Sequence, residues 1–160
     1  MDNRHLKLSA SLLLVGGLSV FSANAATEDT VKQRLDERSV KFEIDGDGDY
    51  KVLYSFTKEK RSQLVFVSGK TETLRTLTIR EIFSPSANLK TAGIDDKKAL
   101  ELLMSSRKNK LGSWEVSNDV LYLVIKIPDN INALDLEAAM DNAAEIADDM
   151  ELKLTGKDVF

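Results

Sequence analysis

Beyond the N-terminal segment, apolar positions first alternate, then take helical spacing, then alternate again before a final helical series. Tyr50, Val52, Tyr54 and Phe56 recur every second residue in DYKVLYSF, and Leu77, Ile79 and Phe83 do so in TLTIREIFSP. Period two puts such side chains on one side of a strand, so these stretches, with KFEID and SQLVFVSGK, predict antiparallel strands with one buried face. Ahead of them, ATEDTVKQRLDERS spaces Val31 and Leu35 on one helical face behind a Thr27 cap, which predicts a short, thinly anchored helix. After Pro85, DDKKALELLMSSRKNKLG predicts an amphipathic helix that starts at Asp95 or Asp96 and turns Ala99, Leu100, Leu103 and Met104 to its apolar side. Arg107, Lys108 and Lys110 complement its negative end, and Gly112 stops it. SWEVSNDVLYLVIKIP predicts a hairpin at Asn118-Asp119, with Leu121, Leu123, Ile125 and Ile127 on one face and Tyr122 and Lys126 on the other. The last series, Leu136, Met140, Ala143, Ala147, Met150 and Leu154, predicts a long helix from an Asn132 cap to Gly156. The order α-β-β-β(-β)-α-β-β-α makes the expected class α+β, an antiparallel sheet with helices packed on it.

The first 25 residues follow a different pattern. Arg4 and Lys7 precede an apolar run from Leu8 to Phe21, and Ala23-Asn24-Ala25 closes it. That is the three-part form of a secretory signal peptide, with cleavage expected after Ala25. A spanning helix needs about 20 apolar residues, more than this core supplies, so no membrane span is expected after cleavage. The expected product is a single exported domain, residues 26–160, periplasmic in a Gram-negative source. Residues 1–25 hold Asp2, Arg4, His5 and Lys7, which leaves 20 basic and 25 acidic residues in the mature chain, a net charge of −5. The mature chain has neither histidine nor cysteine. Disulfides, thiolate nucleophiles, Ser-His-Asp triads and His/Cys zinc sites are thereby excluded. The acidic balance argues against nucleic acid and anionic membranes as partners, since both attract basic patches.

One stretch invites a metal reading. Asp45, Asp47 and Asp49 in DGDGD match the first, third and fifth positions of a calcium loop. The sixth position needs glycine and is Tyr50; the twelfth needs a bidentate glutamate and is Phe56. A tight turn between two strands, with Gly46 and Gly48 supplying positive φ, is the expected structure. No metal or cofactor site is therefore assigned.

DGDYKVLYSF, the polar hairpin with Arg61-Ser62-Gln63, TIREIFSP and KNKLGSWEV, taken in order, resemble the YbjN family over roughly residues 31–154. The resemblance implies a fold similar to the chaperones of type III secretion effectors, and a domain that dimerises and holds another polypeptide. Cytoplasmic relatives are common in that family, so the export signal is a departure from it. The resemblance carries no catalytic activity.

Several residues are candidates for contact with a protein or peptide partner. Arg61, with Gln63, has the chemistry to bind an extended peptide or carboxylate, although solvation within TKEKRS also accounts for it. Arg80 sits beside Glu81 in an apolar strand, and one of the two charges is expected to face either the buried side, in a structural ion pair, or a binding partner. Trp114 follows a helix stop, where its ring caps a core or stacks on a ligand. Leu136, Met140 and Met150 belong to a stripe of alanine and methionine suited to close, adaptable contacts. The C-terminal KDVF suits either a tucked end or a peptide for strand addition. No catalytic residue is assigned. The expected function is a non-catalytic periplasmic interaction module, with a carboxylate-based hydrolase drawing on Glu81, Glu101 or Glu115, or a calcium-dependent binder, as the alternative. A purely structural envelope role is a third reading.

Overall fold

The computed structural model describes residues 30–160. The expected signal peptide, its cleavage site and the Thr27 cap lie outside the described residues. Helix α1 (Thr30–Glu37) leads into β1 (Glu43–Ile44), β2 (Tyr50–Phe56), β3 (Arg61–Leu74) and β4 (Leu77–Asn88). Helix α2 (Asp96–Ser106), β5 (Ser113–Ser117), β6 (Val120–Pro128) and α3 (Ala133–Thr155) follow. The strands form a single six-stranded sheet of order β1-β2-β3-β4-β6-β5, antiparallel at every pairing. Chain order and spatial order part at β6, which pairs with β4 and leaves β5 on the edge.

Alternation along the strands divides the sheet into two faces. Val52, Val65, Val67, Ile82, Leu121, Leu123, Ile125 and Ile127 are buried on the inner face. Helix α3 covers that face, burying Leu136, Met140, Ala143 and Ala147, while Val31 and Leu35 of α1 join the same core. Alanines along α3 let its backbone approach the sheet closely, and each large aliphatic side chain so buried contributes roughly 1.5–3 kcal/mol. The ends of α3 are fixed as its sequence predicts. Asn132 accepts the Asp135 N–H at 2.8 Å, and Gly156 closes the helix in the left-handed region.

Three expectations need correction. Leu77, Ile79 and Phe83 do share a side of β4, but it is the outer one, because Arg80, Ile82 and Ser84 take the core side. The Thr-rich residues between SQLVFVSGK and TLTIREIFSP, outside the expected strands, lengthen β3 to Leu74 and leave only a two-residue turn before β4. Leu74 pairs with Leu77, and β-branched Thr71, Thr73 and Thr78 extend the ladder beyond the core. Helix α2 starts at the Asp95 cap, whose carboxylate accepts the Lys98 N–H, but stops at Ser106, well before Gly112. Only Leu102 of α2 is buried, whereas Leu100, Leu103 and Met104 are all more than half exposed. The cause lies at the end of the helix. The Trp114 indole donates to Ser105 Oγ at 2.9 Å and the Trp114 N–H to Ser106 Oγ at 3.0 Å, pinning the serine side of α2 to β5. Leu102 follows that side inward, and the opposite leucines face out.

Candidate functional site

The DGDGD segment is a turn. Asp45 Oδ1 accepts the N–H groups of Asp47 and Asp49 at 2.9 and 3.0 Å, and the turn joins β1 to β2. Gly48 has φ +88°, while Gly46 needs no positive φ, contrary to expectation. A second glycine seats the turn: a Cβ on Gly69 would lie 2.0 Å from the Gly48 carbonyl oxygen. The Gly69 N–H donates to Asp49 Oδ1 at 2.9 Å, so β3 holds the aspartates in place.

Those aspartates rim a groove on the outer face of the sheet. Its floor is aromatic: Phe66 and Phe83, register partners on β3 and β4, stack with centroids 5.1 Å apart, and Tyr122 meets Phe83 edge-on at 5.9 Å. No helix contributes to its lining. The groove has a volume of about 560 Å³ and is lined by Asp45, Asp47, Asp49, Glu81 and Glu115, with Val116 at its β5 side. Lys126, on β6 between them, pairs with two of these acids, 2.7 Å from Glu115 and 3.5 Å from Glu81. Its hydrogen bond to Glu115, with Glu81 adding to it, raises the ammonium above the ordinary lysine range. Two of the three carboxylates weighed for hydrolysis, Glu81 and Glu115, are thus held by a single cation, while Glu101 stands apart on exposed α2.

A second apolar surface is the outward side of α2. Leu100, Leu103 and Met104 are 58%, 64% and 65% exposed, and Leu111 in the following loop is 47% exposed. Spacing at i, i+3 and i+4 places the first three on one helical stripe. The periodicity that predicted an amphipathic helix was sound; its apolar side faces solvent.

The residues expected to meet a partner are mostly engaged within the fold. Leu136 and Met140 are buried under α3 and Met150 is half-buried, so the stripe of the last helix is used against its own sheet. Trp114 is buried and ties α2 to β5, as a core cap does. Arg80 points inward and donates to Asp129 Oδ1 at 2.5 Å and to the Ser68 carbonyl. Arg34 bonds the Asp129 carbonyl at 3.0 Å and its carboxylate at 3.3 Å, so two buried guanidiniums share one acid. Burial pushes the Asp129 carboxyl up, but Arg80 and Arg34 outweigh it and hold the group below its ordinary range.

Arg61 is not simply solvated. It grips Asp148 with two hydrogen bonds, of 3.1 and 2.6 Å. Gln63 is buried and donates to Ser84 Oγ and to the Pro85 carbonyl at 2.9 and 2.6 Å, so it is closed to a peptide. Asp148, Glu151 and Asp158 bring carboxylate oxygens within 4.8 Å of one another, the one such acidic cluster among the described residues. Their bonds go largely to the protein: Glu151 Oε1 accepts the N–H groups of Val159 and Phe160, and Asp158 accepts that of Ser62. The C-terminal tail is thereby tucked against α3 and β3, the plainer of its two readings. Nothing in the sequence pattern marked the aromatic groove, because its floor combines residues from three strands whose pairing the pattern leaves open.

No family model matches the chain. No curated protein sequence matches it significantly. Among solved structures, it is similar to a chain of the HopA1-SchA chaperone-effector complex, with a TM-score of 0.54 at 10% identity over 76% of this chain and 90% of that one. At that identity the likeness is one of fold, and it agrees with the α+β architecture of a six-stranded antiparallel sheet and three helices.

Proposed function

We propose that this protein is a non-catalytic, exported interaction module of YbjN type, acting in the periplasm and engaging other polypeptides through surfaces that its own core leaves uncovered. The observation that carries the reading is the outward stripe of α2, where three large apolar side chains lie open on a helix whose inner side is already anchored. Single exposed apolar residues are ordinary, but a contiguous stripe calls for a partner. The chaperone-like fold supports a protein as that partner, and the leader supports export.

A second copy of the chain is the partner proposed for α2. Burying three such side chains from each copy offers on the order of 10 kcal/mol, comparable to the cost of association, so the contact is a reversible one. Sedimentation velocity of the mature protein from 1 to 200 μM tests this. The proposal expects concentration-dependent dimerisation that the triple variant Leu100→Ser, Leu103→Ser, Met104→Ser abolishes with no loss of helicity. A monomer throughout, or a dimer indifferent to the variant, would remove α2 from the account.

A further inference from the structure

The groove on the outer sheet face joins two chemistries. Its floor is aromatic and its rim acidic. Phe66, Phe83 and Tyr122 are each half-buried by one another and open on the side away from α3. Among the described residues, five carboxylates line the groove and neither lysine nor arginine does, and Lys126, between Glu81 and Glu115, is the one cation paired with the rim. Five acids and one lysine give the groove a net charge of −4, most of the −5 carried by residues 26–160. The groove thus gathers an excess of negative charge beside the aromatic floor.

Solubility alone does not account for this placement. Charges added for solubility work anywhere on the surface, whereas these are assembled from the β1–β2 turn, β4 and β5 around one apolar floor. Gly69 holds Asp49 there, and Asp45 is fixed by the N–H groups of Asp47 and Asp49 within the same turn. We infer that the groove is a docking site for an extended polypeptide segment in which lysine or arginine alternates with aliphatic residues. Period two sends the apolar side chains of such a segment down onto Phe66, Phe83 and Tyr122 and leaves its cations level with the acidic rim. Lys126 then serves as an internal placeholder, holding Glu81 and Glu115 until an incoming cation shares them.

This inference rests on the reading of the protein as an interaction module but uses a different surface from α2, so each fails separately. The test is isothermal titration of the mature protein with three synthetic twelve-residue peptides: one alternating Lys with Leu and Val, one with Glu in place of Lys, and one with Ser in place of the aliphatics. Only the first is expected to bind, with an affinity that falls about tenfold between low and high salt as the rim is screened. The variant Asp47→Asn, Glu81→Gln, Glu115→Gln, which alters only rim positions, is expected to weaken binding at least tenfold with an unchanged melting temperature. Amide shifts should map to β3, β4 and β6. Equal binding of the Glu peptide, or undiminished binding by the neutralised variant, would overturn the charge selection while leaving an interaction module. Binding of none of the three would overturn the docking site itself, with the α2 dimer test still standing on its own.

Discussion

Asp129 shows how one residue supports the fold and makes it sensitive to acid. It closes a bridge between Arg34 and Arg80, whose side chains are almost wholly withdrawn from water. Its carboxyl is held below the ordinary range, so its contribution is complete above the unfolded-state pKa, near the reference value of 3.8, and lost as the pH falls through the folded one. Asp129→Asn strands two buried cations. Breaking a buried pair costs 3–5 kcal/mol, and with 24% of the Asp129 side chain still exposed we expect about 3 kcal/mol at pH 7. Urea unfolding at pH 7 and pH 3 checks this, and the gap from wild type should narrow at pH 3. An equal gap at both would show that the loss is one of packing rather than charge. Arg80 was the legible member of this cluster, since a charge inside an apolar strand needs a partner. Asp129 and Arg34 were not legible, because nothing local relates positions 95 residues apart.

At the scale of elements, what could be read depended on whether the signal was local. The Asn118-Asp119 turn, the Asn132 cap and Gly156 each act within a few residues, and the structure places all three as expected. The alternation of Leu121, Leu123, Ile125 and Ile127 likewise found the core face, because both neighbours of β6 share its inner side. Periodicity failed where it gave a face without a direction. It grouped Leu77 with Phe83 and Leu100 with Leu103, but the choice between core and solvent was made elsewhere, by Ile82 in β4 and by the Trp114–serine contacts under α2. Two helices with apolar stripes therefore have opposite roles. Met140→Ala in α3 should destabilise the protein by about 2–5 kcal/mol, as removal of a buried Met does. Leu103→Ser in α2 should change the monomer by less than about 0.5 kcal/mol. Denaturation of both variants at low protein concentration checks the contrast, and a costly Leu103→Ser would mean that α2 packs inward.

For the whole molecule, the sheet separates stability from contact. Helix α3 and the inner face carry the core, the outer face carries an acidic aromatic groove, and α2, anchored to β5, carries an open apolar stripe. The fold is α+β and similar to that of a chain from a chaperone-effector complex, and the two uncovered surfaces are where function is proposed to lie. The most direct test installs a photo-crosslinking amino acid singly at Phe83, Leu103 or Glu145 of the full chain and irradiates intact cells. Glu145 serves as the control because it is exposed on α3, outside both surfaces. The account predicts discrete polypeptide adducts from positions 83 and 103 and none from 145. Adducts of equal yield from all three positions, or from none, would contradict it.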